Sequence, residues 1–351
     1  MIRLRPWHPE EASAYHDMRD DVIFSWTTEE ALGLDAVRAS ISDDPTLRAI
    51  EEDSVPVGAL RLTAGPCPEI SFWLRASARG RGLGGEAVRI ALADAFAGDG
   101  VRFVEARVHP DNAASAALLA GLGFRHAGTT SAPRACSISE VDLFRRHRID
   151  AWIFDLGGVV LDSPLEVMRA VEVESGLPAG SIGAVVQAGG DSSPWAMLER
   201  GDISRSRFCE TFGSVLADRD LVVDVADLLH RMETSMTVRH RVVELIRTLR
   251  RRNFRVAALT NNWEPFDQNG LAAEFDVFVE SIREGVRKPE PEIYRRCLDR
   301  LGVDARHVAM VDDLGPNLKS ARELGMLTVK AMSESQVLDS VARISLVPPQ
   351  G

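Results

Sequence analysis

Three short apolar runs, at residues 151–154, 255–259 and 307–311, each give way to polar residues. Asp155 follows the first, Thr260-Asn261-Asn262 the second and Asp312-Asp313 the third. Strands without a polar face are buried on both sides, which in an α/β protein means a parallel sheet covered by helices. Open sheets of this kind build their sites beyond the carboxyl ends of the strands, so the three polar clusters fall where a single site would form. The stretch from about 165 to 245 is helical in pattern and lies between the first two runs. It reads as an inserted cap.

That pattern covers only part of a chain of 351 residues, and one hydrophobic core usually stops growing short of such a length. The alternation restarts after the charged cluster Arg145-Arg146-His147-Arg148, which places a boundary between a domain at 1–148 and one at 149–351. In the first domain, 70–74 and 101–108 read as strands, with a helix over about 84–97 between them and another over about 113–122 after them. Both domains are α/β: a mixed sheet with flanking helices first, then a parallel sheet with its cap.

Composition excludes several classes of function. Hydrophobic residues make up 45% and charged residues 26%, with a net charge of −11. Both halves are acidic, which speaks against binding to nucleic acid or to an anionic membrane. No stretch approaches the roughly 18 apolar residues of a membrane helix, and Met1 to Pro6 carries no apolar signal region. Cys67, Cys136, Cys209 and Cys297 are widely spaced and form no C-x-x-C pair, as expected of free thiols in the cytoplasm. Of the 41 basic residues only Lys288, Lys319 and Lys330 are lysines, so each lysine draws notice. The expected partners are small molecules, and the sequence leaves the oligomeric state open.

In the first half, Arg79-Gly80-Arg81-Gly82-Leu83-Gly84 runs from a strand into a helix. Glycines there let the backbone approach an anion, and amide N–H groups at a helix start favour a pyrophosphate. The next strand ends in His109-Pro110-Asp111-Asn112-Ala113-Ala114-Ser115, followed by Leu119 and then Gly123-Phe124. With these two motifs the segment resembles the GNAT superfamily of acetyl-CoA-dependent acetyltransferases, and Leu4-Arg5-Pro6-Trp7 looks like its ribosomal-protein alanine acetyltransferase branch. The resemblance implies acetyl-CoA as cofactor, with Arg79, Gly80, Arg81, Gly82, Leu83 and Gly84 holding its pyrophosphate through backbone amides. Asn112 and Ser115 would line the thioester end, and Glu69 would act through a water as base for an acceptor amine. Many relatives use a tyrosine in the second helix as acid, but Ala116 to Leu119 occupy that stretch here.

In the second half, Asp155-Leu156-Gly157-Gly158, Thr260-Asn261-Asn262, Arg287-Lys288-Pro289-Glu290-Pro291 and Asp312-Asp313-Leu314-Gly315 form an ordered series of carboxylate, hydroxyl, cation and acid pair. This half resembles the haloacid dehalogenase (HAD) superfamily, most closely the branch with the amino-terminal phosphatase domain of soluble epoxide hydrolases. The resemblance implies a phosphatase with Asp155 as nucleophile and a Mg²⁺ held by Asp155, the Gly157 carbonyl and Asp313, with Asp312 or Asn317 in support through water. Thr260 and the Asn261 amide would bind the phosphoryl oxygens of a phosphate monoester, and Lys288 would offset charge. Most phosphatases of that superfamily carry a second Asp where this chain has Gly157, which favours substrates with good leaving groups. The expectation is a bifunctional enzyme. Two alternatives stand beside it: one half serves only as a binding or regulatory module, or the HAD half is a dehalogenase.

Overall fold

The computed structural model describes residues 1–26, 33–98, 100–131, 140–265 and 270–346, so Cys136 lies outside the described residues. The chain divides into two compact units, Met1–Arg148 and Ile149–Ser345.

The first unit runs β1 (Ile2–Pro6), α1 (Ala12–Asp17), α2 (Asp21–Trp26), α3 (Leu34–Asp43), β2 (Leu47–Glu52), β3 (Val55–Leu62), β4 (Ile70–Leu74), α4 (Leu83–Ala95), β5 (Phe103–Val108), α5 (Ala113–Gly121), β6 (Arg125–Ser131) and β7 (Glu140–His147). Strands β1 to β4 form an antiparallel sheet in chain order, and β5, β7 and β6 form a second with β7 in the middle. The two sheets meet at one parallel bridge between Glu69 and Glu105, after which β4 and β5 form no further ladder. Ala87, Val88, Ala91 and Leu92 make a buried stripe on α4 at helical spacing. They pack with Ile50, Leu60, Ile70 and Leu119 into the unit's main core. Strand β5 begins at Phe103, two residues later than the sequence pattern indicates.

The second unit runs β8 (Ala151–Phe154), α6 (Pro164–Glu174), α7 (Ser181–Ala188), α8 (Pro194–Arg200), α9 (Arg205–Ala217), α10 (Val225–Ser235), α11 (His240–Arg251), β9 (Arg255–Thr260), β10 (Val277–Glu280), α12 (Ser281–Glu284), α13 (Pro291–Leu301), β11 (Val308–Asp312), α14 (Gly315–Glu323), β12 (Leu327–Lys330) and α15 (Glu334–Ile344). Its sheet has the order β10-β9-β8-β11-β12, and all four pairings are parallel. Every residue of β8 is fully buried. Successive side chains of a strand point to opposite faces. Trp152 and Phe154 accordingly pack with residues of α11 and α15, and Ala151 and Ile153 with residues of α13 and α14.

The inserted helices have their own core around Met168, Trp195, Phe208, Phe212, Leu228 and Met232. Side chains of Ser163, Ser193, Ser204 and Asp224 cap the starts of α6, α8, α9 and α10, each accepting from a backbone N–H in the first turn. The insertion ends at Ser235, about ten residues before the expected limit near 245. Helix α11 belongs to the sheet layer, because its apolar face (Val242, Val243, Leu245, Ile246 and Leu249) is buried against β8 and β9 residues. The two connections between cap and sheet pair with each other at Leu161 and Val238.

Candidate active site

Strand β8 lies between β9 and β11, with Phe154 level with Ala258 and Val311. Neighbouring strands are about 4.8 Å apart, so Asp155, Thr260 and the pair Asp312-Asp313 leave the same sheet edge side by side. Asp155 is 7% exposed. Its Oδ1 accepts the Leu156 N–H at 2.7 Å, and its Oδ2 stands 2.8 Å from Lys288 Nζ. The same ammonium donates to Asp312 Oδ2 at 2.8 Å, and Lys288 is 1% exposed. Of the three lysines, this one alone is buried among carboxylates; Lys319 reaches only Glu323 on its own exposed helix face.

Asp312 has the most fully occupied carboxylate of the three. Besides Lys288 it accepts Leu314 N–H at 2.8 Å and Asn317 Nδ2 at 3.0 and 3.1 Å. Its oxygens thus anchor Lys288 and the start of α14. Asp155 and Asp313 keep more open oxygens. One oxygen from each of Asp155, Asp312 and Asp313 falls within 4.8 Å of the others. A single ammonium cannot balance three carboxylates. Burial, reinforced by the charges of Asp312 and Asp313, pushes Asp155 well above the ordinary carboxylate range, against the pull of Lys288. Burial and Asp312 raise Asp313 to about 6. Burial alone would lower Lys288, but Asp155 and Asp312 outweigh it and hold the ammonium charged. An all-oxygen set short of positive charge is the donor chemistry of a hard divalent cation.

Two glycines shape this edge. Gly158 has φ +76°, and a Cβ there would stand 2.4 Å from Asp313 Oδ2, so a bare backbone makes room for the carboxylate. At Gly157 a Cβ would lie 3.1 Å from Cγ and Cδ of Pro164. The ring at the start of the first cap helix thus crowds the place where an acidic side chain would begin. The Leu156 carbonyl takes the N–H groups of Val159, Val160 and Leu161, leaving the Gly157 carbonyl outside the hydrogen bonds of this turn.

Thr260 is 5% exposed, and its hydroxyl makes a contact of 3.5 Å to the Asn261 carbonyl, too long for a strong bond. The Asn261 side chain is committed elsewhere: its Oδ1 accepts Lys288 N–H at 2.8 Å and its Nδ2 donates to the Lys288 carbonyl at 3.0 Å. It is a clamp on the lysine, which leaves its main-chain amide for an anion. Sequence reading missed this clamp. The cap stretch Glu199-Arg200-Gly201 resembles the same HAD branch in sequence, but nothing there assigns Glu199 a role; its carboxylate reaches Asn261 and Arg287.

In the first unit the glycine loop stands at the start of α4. Gly80 and Gly82 have φ +74° and +79°, and Gly82 precedes the helix without a side-chain cap. The N–H groups of Leu83, Gly84 and Gly85 belong to the first turn and have no intrahelical acceptor. Arg79 does not serve as expected: its amide donates to the Ala76 carbonyl at 3.3 Å, and its guanidinium binds the Leu74 carbonyl and Asp20 at 2.8 and 2.7 Å. It staples the loop and does not offer an amide to a ligand. Arg81 pairs with Glu52 at 2.6 Å. Asn112 caps α5 by accepting Ser115 N–H at 3.1 Å, so the two stand together at that helix start. Glu69 lies just before β4 at the bridge where the sheets part, 3.4 Å from Arg107. That neighbour competes for its oxygens.

Residues 149–325 match the model for haloacid dehalogenase-like hydrolases. The chain belongs to that family. Residues 2–125 match the acetyltransferase (GNAT) domain, so this HAD hydrolase also carries an acetyltransferase domain. Acyl-CoA dehydrogenase family member 10 of Mus musculus is 35% identical over 191 residues, 51% of this chain and 18% of that protein. Bifunctional epoxide hydrolase 2 of Sus scrofa is 28% identical over 216 residues, 56% of this chain and 38% of that protein. The chain thus spans less than half of either relative. Sesquiterpene phosphatase astK of Aspergillus oryzae is 27% identical over 183 residues, 50% of this chain and 87% of that protein. Among the described residues no helix is long and apolar enough to cross a membrane.

Proposed function

We propose that the HAD domain hydrolyses a small phosphate monoester or acyl phosphate through an aspartyl-phosphate on Asp155, and that the GNAT domain transfers an acetyl group from acetyl-CoA to an amine. The observation that carries the first half of this reading is the Lys288 ammonium held 2.8 Å from both Asp155 and Asp312 at the edge of the sheet. A carboxylate so placed can attack phosphorus while the ammonium offsets charge on the phosphoryl group. The Thr260 hydroxyl, held only by its long contact to the Asn261 carbonyl, and the Asn261 main-chain N–H would hold phosphoryl oxygens. The alcohol or acid leaves, and water then attacks phosphorus and returns Asp155 as the carboxylate.

Mg²⁺ fits the donor set, held by Asp155, Asp313 and the Gly157 carbonyl, with Asp312 and Asn317 behind them. Bound there, it supplies the positive charge that three carboxylates and one lysine lack. The same acid cluster argues against dehalogenase chemistry, in which an anionic substrate would meet it without such a cation. In the first domain, support for acetyl-CoA comes from the amides of Gly80 to Gly85 and from the parting of β4 and β5. Glu69 would take the proton of the acceptor ammonium through a water, while Asn112 and Ser115 line the thioester end. Phosphate release from a panel of small phosphates with Mg²⁺, with Asp155→Asn as control, tests the hydrolase. Calorimetry with coenzyme A tests the transferase.

A further inference from the structure

Cap helix α8 presents Glu199, which is 6% exposed, to the sheet edge. Its Oε1 accepts Trp195 Nε1–H at 3.0 Å, and its Oε2 accepts from Asn261 Nδ2 at 3.1 Å and Arg287 Nε at 2.5 Å. Trp195 sits within the cap core, whereas Asn261 and Arg287 belong to the loops that end β9 and precede Lys288. Asn261 in turn holds the backbone of Lys288 on both sides. One carboxylate thus ties the cap to the two loops that set the catalytic ammonium. Arg200 adds a second tie, bonded to Glu290 at 3.1 Å beyond the lysine.

We propose that Glu199 is a positioning residue for phosphoryl transfer: seating of the cap helix places its carboxylate on Asn261 and Arg287, and this fixes Lys288 against Asp155. The role rests on the phosphatase reading for its effect on rate, while its effect on the lysine loop stands apart from it. Three donors converge on Glu199, so only an acceptor at both oxygens satisfies them. A glutamine has the same shape but in either orientation turns an NH₂ group toward Trp195 or toward Asn261 and Arg287. The ammonium then loses its fixed position although the pocket keeps its volume.

The test compares Glu199→Gln with Glu172→Gln in the full chain. Glu172 is a fully buried cap carboxylate that accepts the Gly180 and Ile182 N–H groups and has no tie to Lys288. With p-nitrophenyl phosphate and Mg²⁺, Glu199→Gln is expected to lower kcat at least tenfold with KM within about threefold. Glu172→Gln is expected to lower melting temperature and leave kcat unchanged. Amide hydrogen exchange across 286–290 should speed up at least tenfold in Glu199→Gln alone. Wild-type exchange in Glu199→Gln, or equal effects of the two variants on that segment, would overturn the proposal, whatever the activity shows. Fast exchange with unchanged kcat would overturn it as well. If Asp155→Asn keeps full turnover, the phosphatase reading falls, and the exchange result still decides the role of Glu199.

Discussion

Gly158 and Asp313 compete for one space: a Cβ on Gly158 would stand 2.4 Å from Asp313 Oδ2. The glycine also holds φ +76°, which an L side chain adopts at a cost of about 1–2 kcal/mol. Gly158→Ala therefore displaces the carboxylate that would face a cation. The expected outcome is a loss of the rise in melting temperature that Mg²⁺ gives the wild type, with phosphatase activity down about a hundredfold. Differential scanning calorimetry with and without Mg²⁺ checks it.

Asp313 itself has a pH signature. Its pKa is about 6 in the fold against an ordinary 3.8, so without metal the folded protein keeps a proton that the unfolded chain releases. The stability this gives is full below about pH 4 and is lost as pH rises through about 6. Metal-free Asp313→Asn removes the repulsion. It is expected to exceed the wild type at about pH 7.5 by on the order of 2 kcal/mol and to match it near pH 4. Urea melts at the two pH values measure the difference.

Gly157 stands where a leaving-group acid would begin, and Pro164 crowds that place at 3.1 Å. Gly157→Asp alone must push the ring aside, so the informative variant is Gly157→Asp with Pro164→Ala. Turnover of an alkyl phosphate, which needs its leaving oxygen protonated, should rise more than turnover of acetyl phosphate. Equal changes for both substrates would remove the argument that leaving-group quality sets the substrate range.

The glycine loop of the first domain separates backbone from side-chain effects cleanly. Among the described residues, beyond the adjoining chain, no atom lies within 4 Å of a Cβ at Gly82 or at Gly85, yet of the two only Gly82 has a positive φ. Gly82→Ala is expected to raise the Kd for coenzyme A about tenfold, and Gly85→Ala to leave it nearly unchanged. Isothermal titration calorimetry on both variants gives the comparison.

The parts of this molecule readable in sequence are those fixed by burial over a few residues. Strands β8, β9 and β11 are apolar on both faces, so they and the polar residues after them stand out, and Asp155, Thr260, Lys288 and Asp313 do reach one edge. The cap limit was harder to read. Helix α11 has the same apolar spacing as the cap helices, and only packing shows that Val242, Leu245 and Ile246 lie on the sheet. Roles that depend on partners far along the chain left no local sign. Arg79 looks like a ligand-loop residue until Asp20 is found 2.7 Å away. The Asn261 side chain gives no sign in sequence that it clamps Lys288, and Glu199 shows only a family-like cap motif until its partners Asn261 and Arg287 are seen.

The central claim is that Asp155 takes the phosphoryl group. Steady-state reaction with acetyl phosphate, acid quench and borohydride reduction would convert an aspartyl-phosphate to homoserine, which peptide mapping then locates. Homoserine at position 155, absent from Asp155→Asn along with phosphate release, is the expected result. Phosphate release that persists in Asp155→Asn, with no homoserine at 155 in the wild type, would contradict it.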